Sequence, residues 1–190
     1  MYERIKTLLA KATGRNDRRR VAHDLYVAAA EASRRPAFYT EAGVPDTVEG
    51  RYDLLSLHMI LLIRRLRQEA EAQAQLAQLL FDVMFRDVDD NLREMGVGDL
   101  RVGKKVRSYA EAFFGRAKVY QEALAGEGDL EDALSRNVYD EESHPRAPVL
   151  AGYVRRCAES LAEQDTAQLQ RGIVTFPPLT LEEEVSHAAQ

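Results

Sequence analysis

The chain has no tryptophan, a single cysteine and few aromatic residues, and each shortage excludes something. One cysteine, Cys157, rules out an intrachain disulfide framework. It stands in an apolar helical pattern, where a small buried hydrophobe is the expected role. No apolar run is long enough to span a bilayer. The longest, residues 54–63, is interrupted by Ser56 and His58 and has about half of the ~20 residues required. The start MYERIKTLLAKATGR has no sustained apolar core and no small-residue cleavage site. Glu3 and Asp17 argue against an organellar leader, so a cytoplasmic, bacterial-type protein is expected. There is no GxSxG for nucleophilic catalysis, no CxxCH for haem attachment and no GxGxxG for a dinucleotide.

What is present is ordinary globular material. Of 190 residues, 45% are apolar and 30% charged, which suits one domain with a sizeable core. The net charge of −5 hides a gradient. Residues 1–35 carry nine Lys/Arg against four Asp/Glu, whereas residues 121–190 carry five against fourteen. Such a basic head and acidic tail solvate the surface and can steer a partner.

Apolar residues recur at helical spacing, without the alternation of a strand ladder. Ile5, Leu8 and Leu9 predict a short first helix ending near Gly14. Asn16 can cap a second, whose stripe is Val21, Leu25, Ala28, Ala29 and Ala32 and which Pro36 ends. Residues 38–50 read as a connector. A third helix from Val48 or Tyr52 to Arg67 is apolar nearly all round, so it is central or lies under a partner. A fourth carries Leu76, Leu80, Met84, Val88, Leu92 and Met95 on one face and ends at Gly96. A fifth starts after Asp99 as N-cap and carries Val102, Val106, Tyr109, Phe113, Phe114 and Tyr120. A short helix over 130–138 and a last one over 149–169, re-capped at Asp165, follow. The expected fold is all-α: a single irregular bundle of six or seven helices over 1–172. An extended or partly disordered tail over 173–190 completes it.

Three groups of residues could carry chemistry. Asp82, Asp87, Asp89, Asp90 and Glu94 cluster on the fourth helix. Their DxDD order lacks a facing carboxylate motif, so a solvated face paired with Arg86 and Arg93 is the simpler reading. His23 and Asp24 form an HD pair, and with His58 and Asp89 they could make a helical metal-dependent hydrolase. No His-x3-His pair supports it, and His58 also fits a satisfied core histidine. Gly98–Lys105 reads GDLRVGKK, a GxxxxGK with lysine where a P-loop needs Ser or Thr, and it follows a predicted helix instead of a strand. Third, Arg101, Lys104, Lys105 and Arg107 crowd the start of the fifth helix. Cations there oppose the helix dipole, so they point to an anionic partner or to pairing with the acidic end of the fourth helix. A peripheral membrane or ribosome-binding module that uses the basic head is a further surface reading.

Three phrases run in order along the middle of the chain. They are FYTEAGVPDTVEGRYDLLSLH (Phe38–His58), FDVMFRDVDDNLREMGVGDLRVGKKV (Phe81–Val106) and EAFFGRAKVYQEAL (Glu111–Leu124). Together they resemble the ubiquinol–cytochrome c chaperone family, assembly factors for the cytochrome bc1 complex. The resemblance implies an all-helical, non-enzymatic chaperone without catalytic residues, metal or cofactor. It implies that newly made cytochrome b is the client, held during complex III biogenesis, with no role on DNA. In mitochondria the family works with a small helical co-chaperone near the ribosome exit. Within the phrases, Arg101, Lys104, Lys105 and Arg107 are the expected contacts for a partner, ribosome or inner-membrane surface. Tyr52 and His58 are expected to line an apolar groove for a client helix. Gly50-Arg51 and Gly115-Arg116 are expected to serve helix packing and charge anchoring.

Overall fold

The computed structural model describes residues 2–69 and 71–180, and the side chains among them other than those of residues 2–16, 71 and 72. These residues form an all-α bundle. Six long helices are α1 (Tyr2–Ser33), α3 (Val48–Arg67), α4 (Glu71–Glu94), α5 (Asp99–Leu124), α6 (Leu130–Val138) and α7 (Ala147–Glu163). Two single turns, α2 (Ala37–Thr40) and α8 (Thr166–Leu169), complete the set. The expected break near Gly14 is absent: one helix runs through it. A lone glycine costs a helix only about 1 kcal/mol, which the long flanking segments absorb. The tail beyond residue 180 lies outside the described residues.

α3 is the axis, packing against α1, α4, α5, α6 and α7. Leu54, Leu57, Met59, Ile60, Leu61, Leu62 and Leu66 are all buried, as an all-round apolar helix requires. Its first turn is fixed by Thr47, whose side chain accepts from the Gly50 amide at 3.1 Å. Gly50 itself faces the Pro45 carbonyl, and a Cβ there would sit 2.1 Å from that oxygen. Only glycine allows the connector to approach this closely.

The core holds polar groups, and the two large ones on α3, His58 and Arg65, are answered internally. His58 is wholly buried. Its Nδ1 lies 2.7 Å from the Leu54 carbonyl, which can only accept, so Nδ1 bears the proton. Nε2 therefore accepts from the Tyr153 hydroxyl on α7, also at 2.7 Å. Phe38 and Phe176 meet the imidazole ring edge-on at 5.4 and 5.1 Å. Burial lowers the His58 pKa to about 4. The expectation that His58 lines a groove for a client thus meets a closed core: both ring nitrogens are used and no surface is shown. Cys157 is likewise enclosed beside Tyr153, and burial pushes its thiol up to about 12. At the far end of α3, buried Arg65 donates to the Leu161 carbonyl at 2.8 Å and to the Gln164 carbonyl at 3.0 Å. It thereby satisfies carbonyls that the end of α7 leaves open.

Residues 173–180 are extended and strapped to the bundle. The Arg35 guanidinium donates to the Phe176 and Pro177 carbonyls at 3.1 and 2.7 Å. The Gln164 side chain pairs with both the amide and the carbonyl of Thr175, each at 2.8 Å. Phe176 and Leu179 are buried by this strap.

Two outcomes follow. Gly50→Ala should destabilise by about 1–3 kcal/mol, because its Cβ collides with rigid backbone; urea unfolding reads the shift. The His58 effect depends on pH. Between about pH 6.5 and 4 the unfolded chain binds a proton that the folded one refuses, so this group adds stability as pH rises. The stability lost between pH 7 and pH 5 should be smaller by about 2 kcal/mol in His58→Gln than in the parent. Identical pH profiles for the two proteins would contradict a neutral buried imidazole.

Candidate functional site

An apolar cleft of about 340 Å³ opens where the end of α1, the start of α3, the end of α4 and the middle of α5 converge. Val48, Leu55, Val88, Leu92 and Met95 supply its greasy lining, with Tyr52 and Tyr109 beside them. Arg34, Arg51, Asp87 and Asn91 form the polar rim. Val48 and Met95 are 54% and 62% exposed, so the lining is open to solvent. Met95 falls off the expected apolar face because α4 has already ended. Gly96, at φ 78°, turns the chain, and the Gly96 and Val97 amides donate back to the Arg93 and Leu92 carbonyls. Val97 folds onto Leu92, as this helix end requires, and Met95 is left outside.

Tyr52 is the partition of the site. Its ring lies 4.6 Å from that of Tyr109, and its hydroxyl donates to the Tyr109 carbonyl at 3.0 Å. Burial raises its pKa to about 12, so it remains a neutral donor. Across the cleft, Asp87 is held by the Tyr26 hydroxyl at 2.6 Å and by the Asn91 amide at 2.9 Å.

On the other side of Tyr52 lies a second cleft of about 310 Å³, lined by polar residues including Glu49, Asp53, Lys105, Ser108 and Arg116. Asp53 and Arg116 pair at 2.7 Å and are nearly enclosed, with 11% and 16% of their side chains exposed. Burial still wins over the cation, and the Asp53 carboxyl is pushed up to about 6. The guanidinium also lies over the Tyr52 ring, 5.9 Å from its centre. This is the charge anchoring expected of Gly115-Arg116, although Gly115 itself faces open space. Arg51 pairs with Asp46 at 2.6 Å on the surface, where such a bond contributes little.

The cationic start of α5 is exposed throughout: Arg101, Lys104, Lys105 and Arg107 all face water. Gly98, not Asp99, is the N-cap. Asp99 is instead bound by Arg93, which also holds Asp89 at 2.6 Å. The joint is thus closed by an α4 cation and an α5 acid, opposite in sense to the expected pairing. Arg107 reaches only Glu111, at 3.2 Å, and Arg101, Lys104 and Lys105 make no ion pair with a described residue. Gly103 lies inside the helix, so GDLRVGKK forms no phosphate-cradling loop.

The four residues imagined for a metal hydrolase are not gathered. His58 is sealed in the core, His23 lines a cleft with α4, Asp24 abuts Gly172 and Asp89 is bound by Arg93. Among the described residues, no three His, Cys, Asp or Glu side chains are placed to hold a metal ion. Three of the five acids have partners: Asp82 accepts from Gln78, Asp87 from Tyr26 and Asn91, and Asp89 pairs with Arg93, the one expected cation found there. Of the six residues expected to bind a partner, Tyr52 and Lys105 share a cleft, Arg101, Lys104 and Arg107 are exposed on α5 outside its lining, and His58 stands apart. Val48 and Met95 line the cleft without having been expected there from the sequence. The clue was available for Met95, since a residue followed by a C′ glycine leaves the helical face.

Comparison with known proteins agrees with this architecture. Residues 40–176 match the family model described as ubiquinol-cytochrome C chaperone. A ubiquinol-cytochrome-c reductase complex assembly factor 1 from Xenopus laevis is 26% identical over 159 residues, covering 82% of this chain and 80% of that protein. The mouse protein of the same name is 24% identical over 159 residues, and the match spans 82% of this chain but 54% of the mouse protein. The crystal structure of a Cbp3 homolog from Brucella abortus superposes with a TM-score of 0.80 at 35% identity, covering 91% of this chain and 97% of that one.

Proposed function

We infer the function from one premise: the chain belongs to the ubiquinol-cytochrome C chaperone family. It is an assembly chaperone for the ubiquinol–cytochrome c reductase complex, and its client is newly made cytochrome b. The observation that carries the reading is the apolar cleft. A surface hollow of about 340 Å³ with two of its apolar walls mostly in water is a place to bury part of something else.

The mechanism is shielding without covalent chemistry. Apolar side chains of a client segment enter between Val48, Leu55 and Met95 and lose contact with water, each gaining about 1.5–3 kcal/mol when fully buried. Tyr52 and Tyr109 offer flat, rigid walls with little entropy to lose. Arg34 and Arg51 at the rim meet polar or acidic groups flanking the apolar segment. Arg101, Lys104, Lys105 and Arg107 provide further partner contacts along α5. Release needs no chemical step, because every contact is non-covalent and few are strong. His58 contributes by holding α3 against α7, which keeps the wall of the cleft in place. No helix of the described residues is long and apolar enough to cross a membrane. In this reading the chaperone meets its client at the cytoplasmic face of the inner membrane.

Affinity capture of the tagged protein from its native membranes in mild detergent tests this. Cytochrome b should be enriched without the other subunits of the mature complex. Val48→Asp/Met95→Asp, at two exposed positions that the fold does not need, should lower that enrichment at least about tenfold. Lys104→Glu/Lys105→Glu should lower it less. Undiminished capture by Val48→Asp/Met95→Asp would remove the cleft from the mechanism. A folded parent protein that captures no cytochrome b would remove the client.

A further inference from the structure

We propose that the outward face of the first two turns of α5 docks on an anionic lipid bilayer. Leu100 is fully exposed, at 100%, the most extreme position of any large apolar side chain described. Helical spacing puts Lys104 one turn and Arg107 two turns behind it on the same face, with Arg101 alongside. Val102 and Phe113, both buried, mark the opposite face. The outward face is therefore an apolar apex with a cationic collar.

No contact among the described residues explains this arrangement. Arg101 and Lys104 have no ion-pair partner among the described residues, and the one acid of the first turn, Asp99, is engaged by Arg93. These cations sit at the positive end of the helix, where they repel the dipole and each other. An external sheet of negative charge would reverse the sign of that interaction.

The shape selects the kind of partner. The face is a crest: a Cβ at Gly98 or at Gly103 would meet nothing within 4 Å. RNA phosphates would satisfy the cations but leave Leu100 in water. A folded protein would need a socket for a single protruding leucine. A bilayer presents phosphates at the depth of the collar and acyl chains at the depth of the apex, and long Lys and Arg side chains reach back to the headgroups. Met95, which lines the apolar cleft, precedes this crest by one short turn. Docking on it would hold the mouth of the cleft beside the membrane surface.

This proposal goes beyond the chaperone reading and is tested without any client. The purified full chain is co-sedimented with vesicles of phosphatidylcholine, alone or mixed with phosphatidylglycerol. Binding is expected only to the mixed vesicles, weakening as salt rises. Arg101→Ala/Lys104→Ala/Arg107→Ala should lower apparent affinity at least about tenfold. Leu100→Ser should lower it several-fold, and by a similar factor at low and high salt. Both variants change exposed side chains, and thermal melting followed by circular dichroism confirms their fold. A control, Arg18→Ala/Arg19→Ala/Arg20→Ala in the basic head, should retain binding. The proposal is overturned if the parent ignores mixed vesicles, if both α5 variants bind like the parent, or if the α1 control abolishes binding. It is equally overturned if the α5 triple variant loses RNA binding while vesicle binding stays intact.

Discussion

A helix that is apolar around almost its whole circumference cannot face water on any side, and α3 is such a helix. Everything else in the bundle is arranged to enclose it. α1 and α4 cover one side, α6 and α7 another, and α5 bridges them. Enclosure also makes internal partners valuable to the large polar side chains of α3, since an unanswered one would cost about 1–3 kcal/mol. His58 finds the Leu54 carbonyl and Tyr153, and Arg65 finds the end of α7. These bonds do not add stability so much as fix which helix lies where.

The enclosure is incomplete at one end, and that is where the clefts lie. The N-terminal half of α3 emerges between α1, α4 and α5, carrying Val48, Tyr52 and Leu55 towards solvent. Tyr52 divides the opening into an apolar chamber and a charged one. Its ring is held by two neighbours, tilted against Tyr109 and under Arg116. A rigid partition of this kind lets one helix turn present two different chemistries within a few ångströms, which suits a polypeptide with apolar and polar faces.

How much of this was legible in the sequence varies with the physical signal. Helices with one apolar stripe were readable because periodicity reports burial directly; α4, α5 and α6 fall close to their expected limits. Capping chemistry was readable where the side chain is unambiguous, as at Gly96 and Asp165. The continuity of α1 through Gly14 was not, because a single glycine is a weak breaker. The role of His58 was open, because a histidine on an apolar helix serves equally as ligand, wall or strut until its neighbours are known. The pairing at the α4–α5 joint was also hidden: which cation meets which acid depends on the angle of a four-residue turn. Phe114 follows the expected stripe of α5 but is 53% exposed, stacked on Phe81 at 5.2 Å. Periodicity identifies a face; it does not say how far a neighbouring helix extends over it.

The strap over residues 173–180 sets an order of events. His58 stands near the middle of α3, yet one wall of its pocket is Phe176, and the carbonyls of Phe176 and Pro177 are what Arg35 holds. During synthesis the first three helices leave the ribosome long before that wall exists. Until it arrives, the imidazole lacks one of the aromatic walls that enclose it. The cleft beside Tyr52 has a different dependence, since every residue that lines it lies between Ala30 and Tyr109, ahead of the strap. The seat of α3 against α7 is therefore finished last, after the walls of the cleft are already in the chain.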